Sequence, residues 1–267
     1  MNRRVGEAHP LFLFLYLHLM RLLAILFLSV SVCTHAQRFH RQAHAHNDYE
    51  HARPLFEALG YGFTSVEADI HLIAGELYVS HQRPAPSARR TLRALYLAPL
   101  DSLCRRGEFA PLERPFILLV DIKTEATRTV EKLIAVLGDY AALASPGSPV
   151  RVVISGNRDY DLIRKTVGLA IDGRPADLGK GFSAQEMPLV SDHFGNVMHW
   201  NGKGDPIPSE VEKVRALARR VHAEGKLLRL WAIPDREEAW TLLLDAGVDL
   251  INTDRLEALN EFLRRRG

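Results

Sequence analysis

The chain has 267 residues and a formal net charge of +2, and 47% of its residues are hydrophobic. These values are ordinary for a globular protein, and the small net charge gives no reason to expect binding to nucleic acid or to an anionic membrane surface. The length suits one large α/β barrel or two small domains.

An apolar segment near the start of the chain predicts a secretory signal peptide over residues 1–36. Residues 11–32 are mostly apolar, and Thr34 and Ala36 are the small residues expected before a cleavage site. Met20 begins a more regular signal and is an alternative start. We therefore expect residues 37–267 to form the mature domain.

Two alternatives to a cleaved signal are weaker. A membrane anchor needs an uninterrupted apolar span, which His18 and Arg21 break. Lipid attachment at Cys33 needs a small residue before the cysteine, and a valine stands there. Cleavage would leave 31 basic and 31 acidic residues and Cys104 as the one cysteine. We expect a secreted or periplasmic protein without a membrane span, stabilised by a packed core rather than by disulfides.

From residue 42 onward the sequence alternates between strand-like apolar runs and helical stretches. Eight strands that alternate with helices predict a parallel sheet closed into a single-domain α/β fold, the (β/α)8 TIM barrel. An open doubly wound sheet is the alternative, but no glycine-rich phosphate-binding fingerprint follows the first strand. The eight predicted strands are 42–46, 65–73, 116–123, 151–155, 169–173, 187–193, 227–233 and 250–253.

Two irregularities follow the second predicted strand. Residues 74–76 predict a turn into a short additional strand that ends at His81. Residues 83–115 predict a long insertion before the next barrel strand, with a helix-like stretch inside it. Because loops at the carboxyl ends of barrel strands carry specificity, we expect this insertion to help select the substrate.

Charged residues interrupt the first three predicted barrel strands at or near their carboxyl ends. A spacing of two residues places each pair on one face of its strand, and these strand ends converge on the active face of a barrel. Three carboxylates so close together would repel one another unless a cation separates them. Oxygen ligands favour one divalent cation, Mg²⁺ with Ca²⁺ as the alternative, over Zn²⁺. The pairs are His44 and His46, Glu67 and Asp69, and Asp121 and Lys123.

These residues suit phosphoryl chemistry better than acyl transfer, because no serine or cysteine nucleophile stands beside a base. A metal and Lys123 would neutralise the non-bridging oxygens of a phosphate. His46 and His81 would exchange protons with the attacking and leaving oxygens. The predicted substrate is a small-molecule or lipid phosphodiester, which is lipid-derived or similar to a glycerophosphodiester.

The runs "AHNDY", "SVEAD", "LYVSH", "LLVDIK" and "GVDLINTD" resemble the phosphatidylinositol-phospholipase-C-like phosphodiesterase superfamily. This superfamily includes the glycerophosphodiester phosphodiesterases. The runs "HAHNDY", "IDGRP" and "MPLVSD" are similar to a branch called altered inheritance of mitochondria protein 6-like. The resemblance covers residues 43–263 and implies a metal-dependent phosphoric diester hydrolase on a TIM barrel.

Roles are carried over where the motifs match. The resemblance implies catalytic roles for His46 and His81, metal binding by Glu67, Asp69 and Asp121, and substrate contacts by Lys123, Asn47 and Trp231. The chain departs from the glycerophosphodiesterases at both histidines. They have His-Arg-Gly and His-Asp, where this chain has "HND" at position 46 and "HQ" at position 81. The resemblance therefore does not fix the substrate.

Other interpretations of the same residues are weaker. The carboxylates could form a salt-bridge cluster with Lys123 and Arg229 instead of a metal site. A binuclear zinc hydrolase of the amidohydrolase type would also use His44, but only His193 could supply its later histidines. A third alternative is an inactive barrel that binds a lipid head group or a sugar.

Three further residues carry structural expectations. We expect His44 to be a hydrogen-bonded histidine inside the barrel, and Asp254 to be the N-cap of the last helix. Trp231 is either a substrate wall or a plug of the barrel.

Overall fold

The computed structural model describes residues 39–266, and a closed barrel of eight parallel strands forms its centre. The predicted signal peptide, with Met20 and Cys33, lies outside the described residues. All eight predicted strands are present. They are β1 (His40–Ala45), β2 (Phe63–Ile73), β4 (Phe116–Ile122), β5 (Val150–Gly156), β6 (Leu169–Gly173), β7 (Leu189–His193), β8 (Leu227–Trp231) and β9 (Leu250–Thr253).

Strand pairing closes the barrel. The sheet order is β1-β9-β8-β7-β6-β5-β4-β2, and β1 pairs with β2 as well as with β9, so that each barrel strand has a neighbour on both sides. The predicted additional strand is β3 (Glu76–Val79), which pairs antiparallel with the end of β2. The structure thus confirms the single-domain (β/α)8 barrel.

Helices follow the strands and cover the outside of the barrel. Most are amphipathic and bury one apolar face, as expected for helices that pack on a sheet. The α-helices are α1 (Phe56–Gly60), α2 (Ala98–Arg105), α3 (Ala126–Leu137), α4 (Ala141–Ala144), α5 (Tyr160–Arg164), α6 (Pro208–Ala223), α7 (Glu237–Asp245) and α8 (Leu256–Arg266). Among residues 39–266, no helix combines the length and the apolar character needed to cross a bilayer.

The interior of the barrel changes from apolar to polar along its axis. Six buried apolar residues form a separate cluster, and they are Ile117, Leu119, Val153, Ala170, Leu189 and Leu250. Since side chains alternate between the two faces of a strand, the next inward position lies two residues further along each strand. Those positions hold Asp121, Ser155, Asp172, Ser191 and Asn252. A polar layer therefore lies above an apolar plug, at the carboxyl ends of the strands.

The insertion predicted at 83–115 lies between β3 and β4, and its helical part packs into the core. It contains a π-helical turn over Arg93–Leu97 that continues into α2. Tyr96 and Leu100 are fully buried. The Tyr96 hydroxyl donates a hydrogen bond to Asp48, just after β1. The insertion thus supports the loop that follows the first strand.

Candidate active site

A cavity of about 290 Å³ opens at the carboxyl ends of the barrel strands. This is the face on which TIM barrels carry their active sites. The structure brings together in this cavity all eight residues that the sequence assigned to catalysis, metal binding or substrate contact. Its lining residues are His46, Asn47, Glu67, Asp69, His81, Asp121, Lys123, Ser155, Arg174, Arg229 and Trp231.

Three carboxylates form an acidic cluster on neighbouring strands. Glu67 and Asp69 lie on β2, and Asp69 is in register with Asp121 on β4. One oxygen from each carboxylate lies within 4.8 Å of the others. Among residues 39–266, this is the one group of three or more histidine, cysteine or acidic side chains so arranged. The histidine cluster needed for a binuclear zinc site is not found in this part of the chain.

The acidic cluster fits a divalent cation. Asp69 is 1% exposed, and its Oδ1 atom has no hydrogen-bond partner among the described residues. A buried carboxylate oxygen without a partner is costly, and a cation would satisfy it. Carboxylate oxygens are the ligands that Mg²⁺ and Ca²⁺ prefer. Glu67, Asp69 and Asp121 would therefore hold the metal.

Two cationic side chains contact the same cluster. Lys123 Nζ lies 3.0 Å from Asp69 Oδ2 and 3.2 Å from Asp121 Oδ1. Arg229, which is buried, pairs with Glu67 through Oε2. The salt bridges considered as an alternative to a metal site are thus present. They leave Oδ1 of Asp69 without a partner, so they do not satisfy the cluster completely.

Burial and neighbouring charges shift the pKa values of the cluster in different directions. Burial raises the pKa of Asp121 to about 6, although the charge of Lys123 opposes the shift. Burial also disfavours ionised Glu67, but the charge of Arg229 and a hydrogen bond from His44 outweigh it, so that its pKa is lowered. The pKa of Lys123 is raised, because Asp121 and Asp69 outweigh the effect of burial. Glu67 and Lys123 therefore carry their charges at neutral pH.

His46 and His81 each contact a carboxylate through Nδ1. His46 Nδ1 lies 2.9 Å from Asp254 Oδ1, and His81 Nδ1 lies 3.1 Å from Asp69 Oδ2. A ring that donates its Nδ1 proton to a carboxylate presents Nε2 as the second nitrogen for proton exchange. The two histidines therefore have the hydrogen-bonded arrangement that general acid–base catalysis requires.

The contact with His46 corrects the expectation that Asp254 caps the last helix. The Asp254 carboxylate bonds to the imidazole, and the backbone N–H of Arg255 donates instead to the Thr253 hydroxyl. Burial disfavours the charged imidazole, but the Asp254 hydrogen bond and the negative charges of Glu67 and Asp254 outweigh burial. The pKa of His46 is raised as a result.

His44 is fully buried one layer below His46, as predicted. Its Nδ1 lies 2.7 Å from the Ser65 hydroxyl, and its Nε2 lies 3.2 Å from Glu67 Oε2. Burial and the charge of Arg229 lower the pKa of His44 to about 4. His44 is therefore neutral near pH 7 and positions Glu67.

Asn47 and Tyr49 connect the loop after β1 to the acidic cluster. The Tyr49 hydroxyl lies 2.8 Å from Asp69 Oδ2 and 2.6 Å from Asn47 Oδ1. Asn47 has a positive φ of 47°, a conformation that asparagine adopts more readily than most residues. No spacing pattern in the sequence points to Tyr49, because its hydroxyl reaches Asp69 from a residue outside the strands.

Trp231 lies at the rim of the cavity rather than inside the barrel. The residue is 38% exposed, so it does not plug the barrel. The His193 ring packs edge-on against it with ring centroids 4.4 Å apart. The two residues end neighbouring strands and are in register, so the pair forms one side of the cavity mouth.

Two family models match the chain, and both describe phosphodiesterases. Residues 35–110 match the AIM6-like phosphodiesterase domain, and residues 228–257 match the glycerophosphoryl diester phosphodiesterase family. The matched segments include β1, β2 and β3 at one end of the chain and β8 and β9 at the other. The chain thus carries a phosphodiesterase-like domain of the phosphodiester hydrolase superfamily.

Relatives over most of the chain give a narrower assignment. Altered inheritance of mitochondria protein 6 from Kluyveromyces lactis is 50% identical over 298 aligned positions, which cover 82% of this chain and 71% of the relative. The protein of the same name from Eremothecium gossypii is 29% identical, with 83% and 69% covered. A homologue from Arthroderma benhamiae is 25% identical, with 80% and 81% covered. The chain belongs to the altered inheritance of mitochondria protein 6 family, which confirms the resemblance of its motifs.

Proposed function

We propose that the protein is an exported, metal-dependent phosphodiesterase that cleaves a phosphoric diester with His46 and His81 as acid and base. One observation carries this proposal. Both histidines lie in the same cavity as three carboxylates and Lys123, and each bonds a carboxylate through Nδ1. This combination supplies proton transfer and charge neutralisation, the two requirements of phosphodiester cleavage.

The proton transfers follow from this arrangement. The attacking group is a neighbouring hydroxyl of the substrate or a water molecule, and it forms the new bond to phosphorus. One histidine accepts the proton of that group through Nε2, while the other donates a proton to the leaving oxygen as the P–O bond breaks. Asp254 and Asp69 hold the two rings in orientation. Lys123 stabilises the negative charge of the non-bridging oxygens.

We propose Mg²⁺ as the ion bound by Glu67, Asp69 and Asp121. When bound, the ion supplies Lewis-acid stabilisation of the phosphate oxygens. The resting cluster has three carboxylates and the two cations Lys123 and Arg229 within contact. A divalent cation would make the cluster positive, which suits a substrate that carries one negative charge per phosphodiester.

Phosphorus NMR of the purified protein tests this proposal. Lysophosphatidylcholine and glycerophosphocholine are incubated with the protein in Mg²⁺ and again in EDTA. We expect new phosphorus signals in Mg²⁺ that disappear in EDTA, and their shifts separate a cyclic phosphate from a linear product. His46→Ala and His81→Ala should also remove the signals.

The matched control is His222→Ala. His222 lies on α6, outside the cavity, and its Nε2 lies 2.7 Å from Asp249 Oδ2. Its loss removes a similar histidine–carboxylate pair without touching the site, so turnover should persist. A protein that binds Mg²⁺ but turns over neither substrate would point to a narrower substrate or to a binding protein. A protein that binds no divalent cation would contradict the mechanism.

We also propose that the protein is exported through cleavage of residues 1–36. The support is the apolar segment 11–32 and the small residues before Gln37. Sequencing the amino terminus of the protein recovered outside the cytoplasm should give Gln37 as the first residue. An uncleaved amino terminus would contradict the proposed export, but it would not affect the proposal that the protein is a phosphodiesterase.

A further inference from the structure

Arg174 lines the cavity but has no part in the proton transfers described above. It follows β6 directly, and β6 is the fifth strand of the barrel. In the closed ring of strands, β6 lies four strands from β1 in either direction, so Arg174 stands across the barrel mouth from His46. A phosphate above the centre of the barrel would lie between these two residues.

A buried carboxylate fixes the position of Arg174. Asp172 is fully buried, and its Oδ2 accepts hydrogen bonds from Arg174 Nη1 at 2.9 Å and from the Ser155 hydroxyl at 2.7 Å. Its Oδ1 accepts a hydrogen bond from the Ser191 hydroxyl at 2.5 Å. A buried carboxylate is stable only when it is paired and hydrogen-bonded. Side chains from β5, β6 and β7 thus cooperate to hold one guanidinium group.

The contacts of Arg174 are concentrated on one of its nitrogens. Nη1 donates to Asp172 Oδ2, to the Gly173 carbonyl at 2.9 Å and to the Asp172 carbonyl at 3.3 Å. Among residues 39–266, Nη2 has one hydrogen bond, a long contact of 3.4 Å with the Ser155 hydroxyl. The side chain is 30% exposed at the cavity. One edge of the guanidinium is therefore anchored, and Nη2 keeps donor capacity for a ligand.

Arg174 differs from Lys123 and Arg229, the other lysine and arginine that line the cavity, in the carboxylate with which it pairs. Lys123 and Arg229 pair with members of the acidic cluster. Arg174 pairs instead with Asp172, which does not line the cavity. Arg174 therefore lines the cavity, whereas the carboxylate with which it pairs is buried outside the cavity lining. An arginine held in this way presents planar, directed donors that match the geometry of an oxyanion.

We propose that Arg174 is a specificity-determining residue that binds an anionic oxygen of the substrate, and that Asp172 is its positioning residue. This proposal rests on the proposed function, because it assigns the oxyanion to a phosphodiester substrate. The oxyanion belongs either to the phosphate that is cleaved or to a second anionic group on the same substrate. Both sources share the chemistry that the guanidinium recognises.

Binding of inorganic phosphate to the Mg²⁺-loaded protein, measured by calorimetry, tests Arg174 without turnover. Arg174→Gln should weaken phosphate binding by about tenfold or more, because a charge-assisted hydrogen bond is lost. Arg174→Lys keeps the charge but lacks the planar fork, so it should give a smaller loss. Arg164→Gln is the matched control, because Arg164 pairs with Glu186 on the outside of the barrel and should leave binding unchanged.

Arg174→Gln leaves Asp172 as an unpaired buried charge and could unfold the protein. The double variant Arg174→Gln with Asp172→Asn removes both charges, and its melting curve shows whether the fold persists. Ser191→Ala tests the positioning role, because it frees Asp172 Oδ1 without changing the cavity wall. We expect weaker phosphate binding in both proteins, with a cooperative melting transition that shows each one to be folded. Unchanged phosphate affinity in the folded double variant would overturn the proposal, as would a wild-type protein that does not bind phosphate.

Turnover identifies the source of the oxyanion. Glycerophosphocholine has no anionic group besides its phosphodiester, whereas glycerophosphoserine also carries a carboxylate. A loss of kcat/KM on both substrates in Arg174→Gln would place Arg174 at the cleaved phosphate, and a loss on glycerophosphoserine alone would place it at the second group. Equal turnover of both substrates by variant and wild type would overturn the proposal. Arginine-dependent phosphate binding without wild-type turnover of either substrate would uphold the role of Arg174 and would point to a narrower substrate or to a binding protein.

Discussion

Asp254 Oδ1 lies 2.9 Å from Nδ1 of His46, although 208 positions separate the two residues in the chain. The contact follows from barrel closure, because β1 and β9 are neighbours and Ala45 is in register with Thr253. Each residue comes directly after its strand, so the two side chains meet at the cavity. Asp254 thus orients the ring of His46 and stabilises its charged form.

Asp254→Asn should lower the pKa of His46. The pKa is raised in the folded protein because the Asp254 hydrogen bond and the nearby negative charges outweigh burial. An amide cannot stabilise the imidazolium in this way, so burial should dominate in the variant. Titration of the His46 ring by NMR in the metal-free protein measures the shift directly. Glu257→Gln, on the exposed face of α8, should leave the His46 pKa unchanged.

The same raised pKa predicts a pH-dependent contribution to stability. Protonated His46 favours the folded state, so its contribution is complete below about pH 6.5, the unfolded pKa, and is lost as pH rises through the higher folded value. Asp254→Asn should remove this contribution in denaturant unfolding measured across that range. It should also reduce turnover, within the roughly 10²- to 10⁴-fold range of general acid–base catalysis. An unchanged His46 pKa in the variant would refute the role of Asp254.

The barrel and much of the site were predictable because the relevant patterns are local. Glu67, Asp69 and Asp121 stand out from the sequence because acidic residues are rare in buried strands. The two-residue period then placed them on one face, and the structure brings them together at the barrel mouth. The same period extends to Ser155, Asp172 and Arg229, so the spacing along the strands also predicts these members of the polar layer.

Other contacts depend on geometry that spacing does not encode. Serines such as Ser155 and Ser191 are common in proteins, and nothing in the sequence marks them as partners of Asp172. Asp254 matched an N-cap pattern, and the competing contact with His46 depends on how β1 and β9 meet. The sequence predicts the helical insertion, but no local pattern indicates that Tyr96 reaches Asp48.

Asp69→Asn should abolish or strongly weaken binding of divalent cations. Asp69 Oδ1 is a buried carboxylate oxygen that has no hydrogen-bond partner in residues 39–266, and an amide cannot replace its charge. We expect the affinity for Mg²⁺ in calorimetry to fall by at least the roughly 10- to 100-fold typical of changes beside a metal ligand. Asp161→Asn, an exposed substitution on α5, is the control. Equal Mg²⁺ affinity in Asp69→Asn and wild type would favour the salt-bridge interpretation of the cluster.

Gly156→Ala should destabilise the protein and disturb Asp121. Gly156 has φ +67°, and a Cβ atom there would lie 2.3 Å from Asp121 Oδ1 and 2.4 Å from the Ile122 carbonyl. Positive φ alone costs about 1–2 kcal/mol for a residue with a side chain. Steric overlap of this kind adds about 1–3 kcal/mol. Denaturant unfolding measures the total, and calorimetry with Mg²⁺ shows whether the ligand has moved.

Gly75→Ala separates the two costs. Gly75 has φ +82°, but no atom lies within 4 Å of an added Cβ. It should therefore show the conformational cost alone and bind Mg²⁺ normally. If the two variants lost equal stability and bound Mg²⁺ equally well, the close approach of Gly156 to Asp121 would have no consequence for the site.

Trp231→Ala should affect substrate binding far more than stability. Trp231 is 38% exposed at the cavity rim, so it is accessible to the quaternary ammonium group of a choline-containing substrate. A cation over a tryptophan face is stabilised by about 0.5–2 kcal/mol. We therefore expect a rise in KM for glycerophosphocholine of roughly 2- to 30-fold, with a smaller rise for Trp231→Phe.

Trp240→Ala is the control for Trp231→Ala, because it truncates a buried tryptophan instead of an exposed one. Trp240 is fully buried on α7, and its ring packs 5.5 Å from that of Phe262. Its truncation should cost about 3–5 kcal/mol of unfolding free energy, as is usual for a buried aromatic residue. Trp231→Ala should change the unfolding free energy little, because exposed positions usually contribute within about 0.5 kcal/mol. A large loss of stability in Trp231→Ala with an unchanged KM would show that Trp231 supports the fold rather than the substrate.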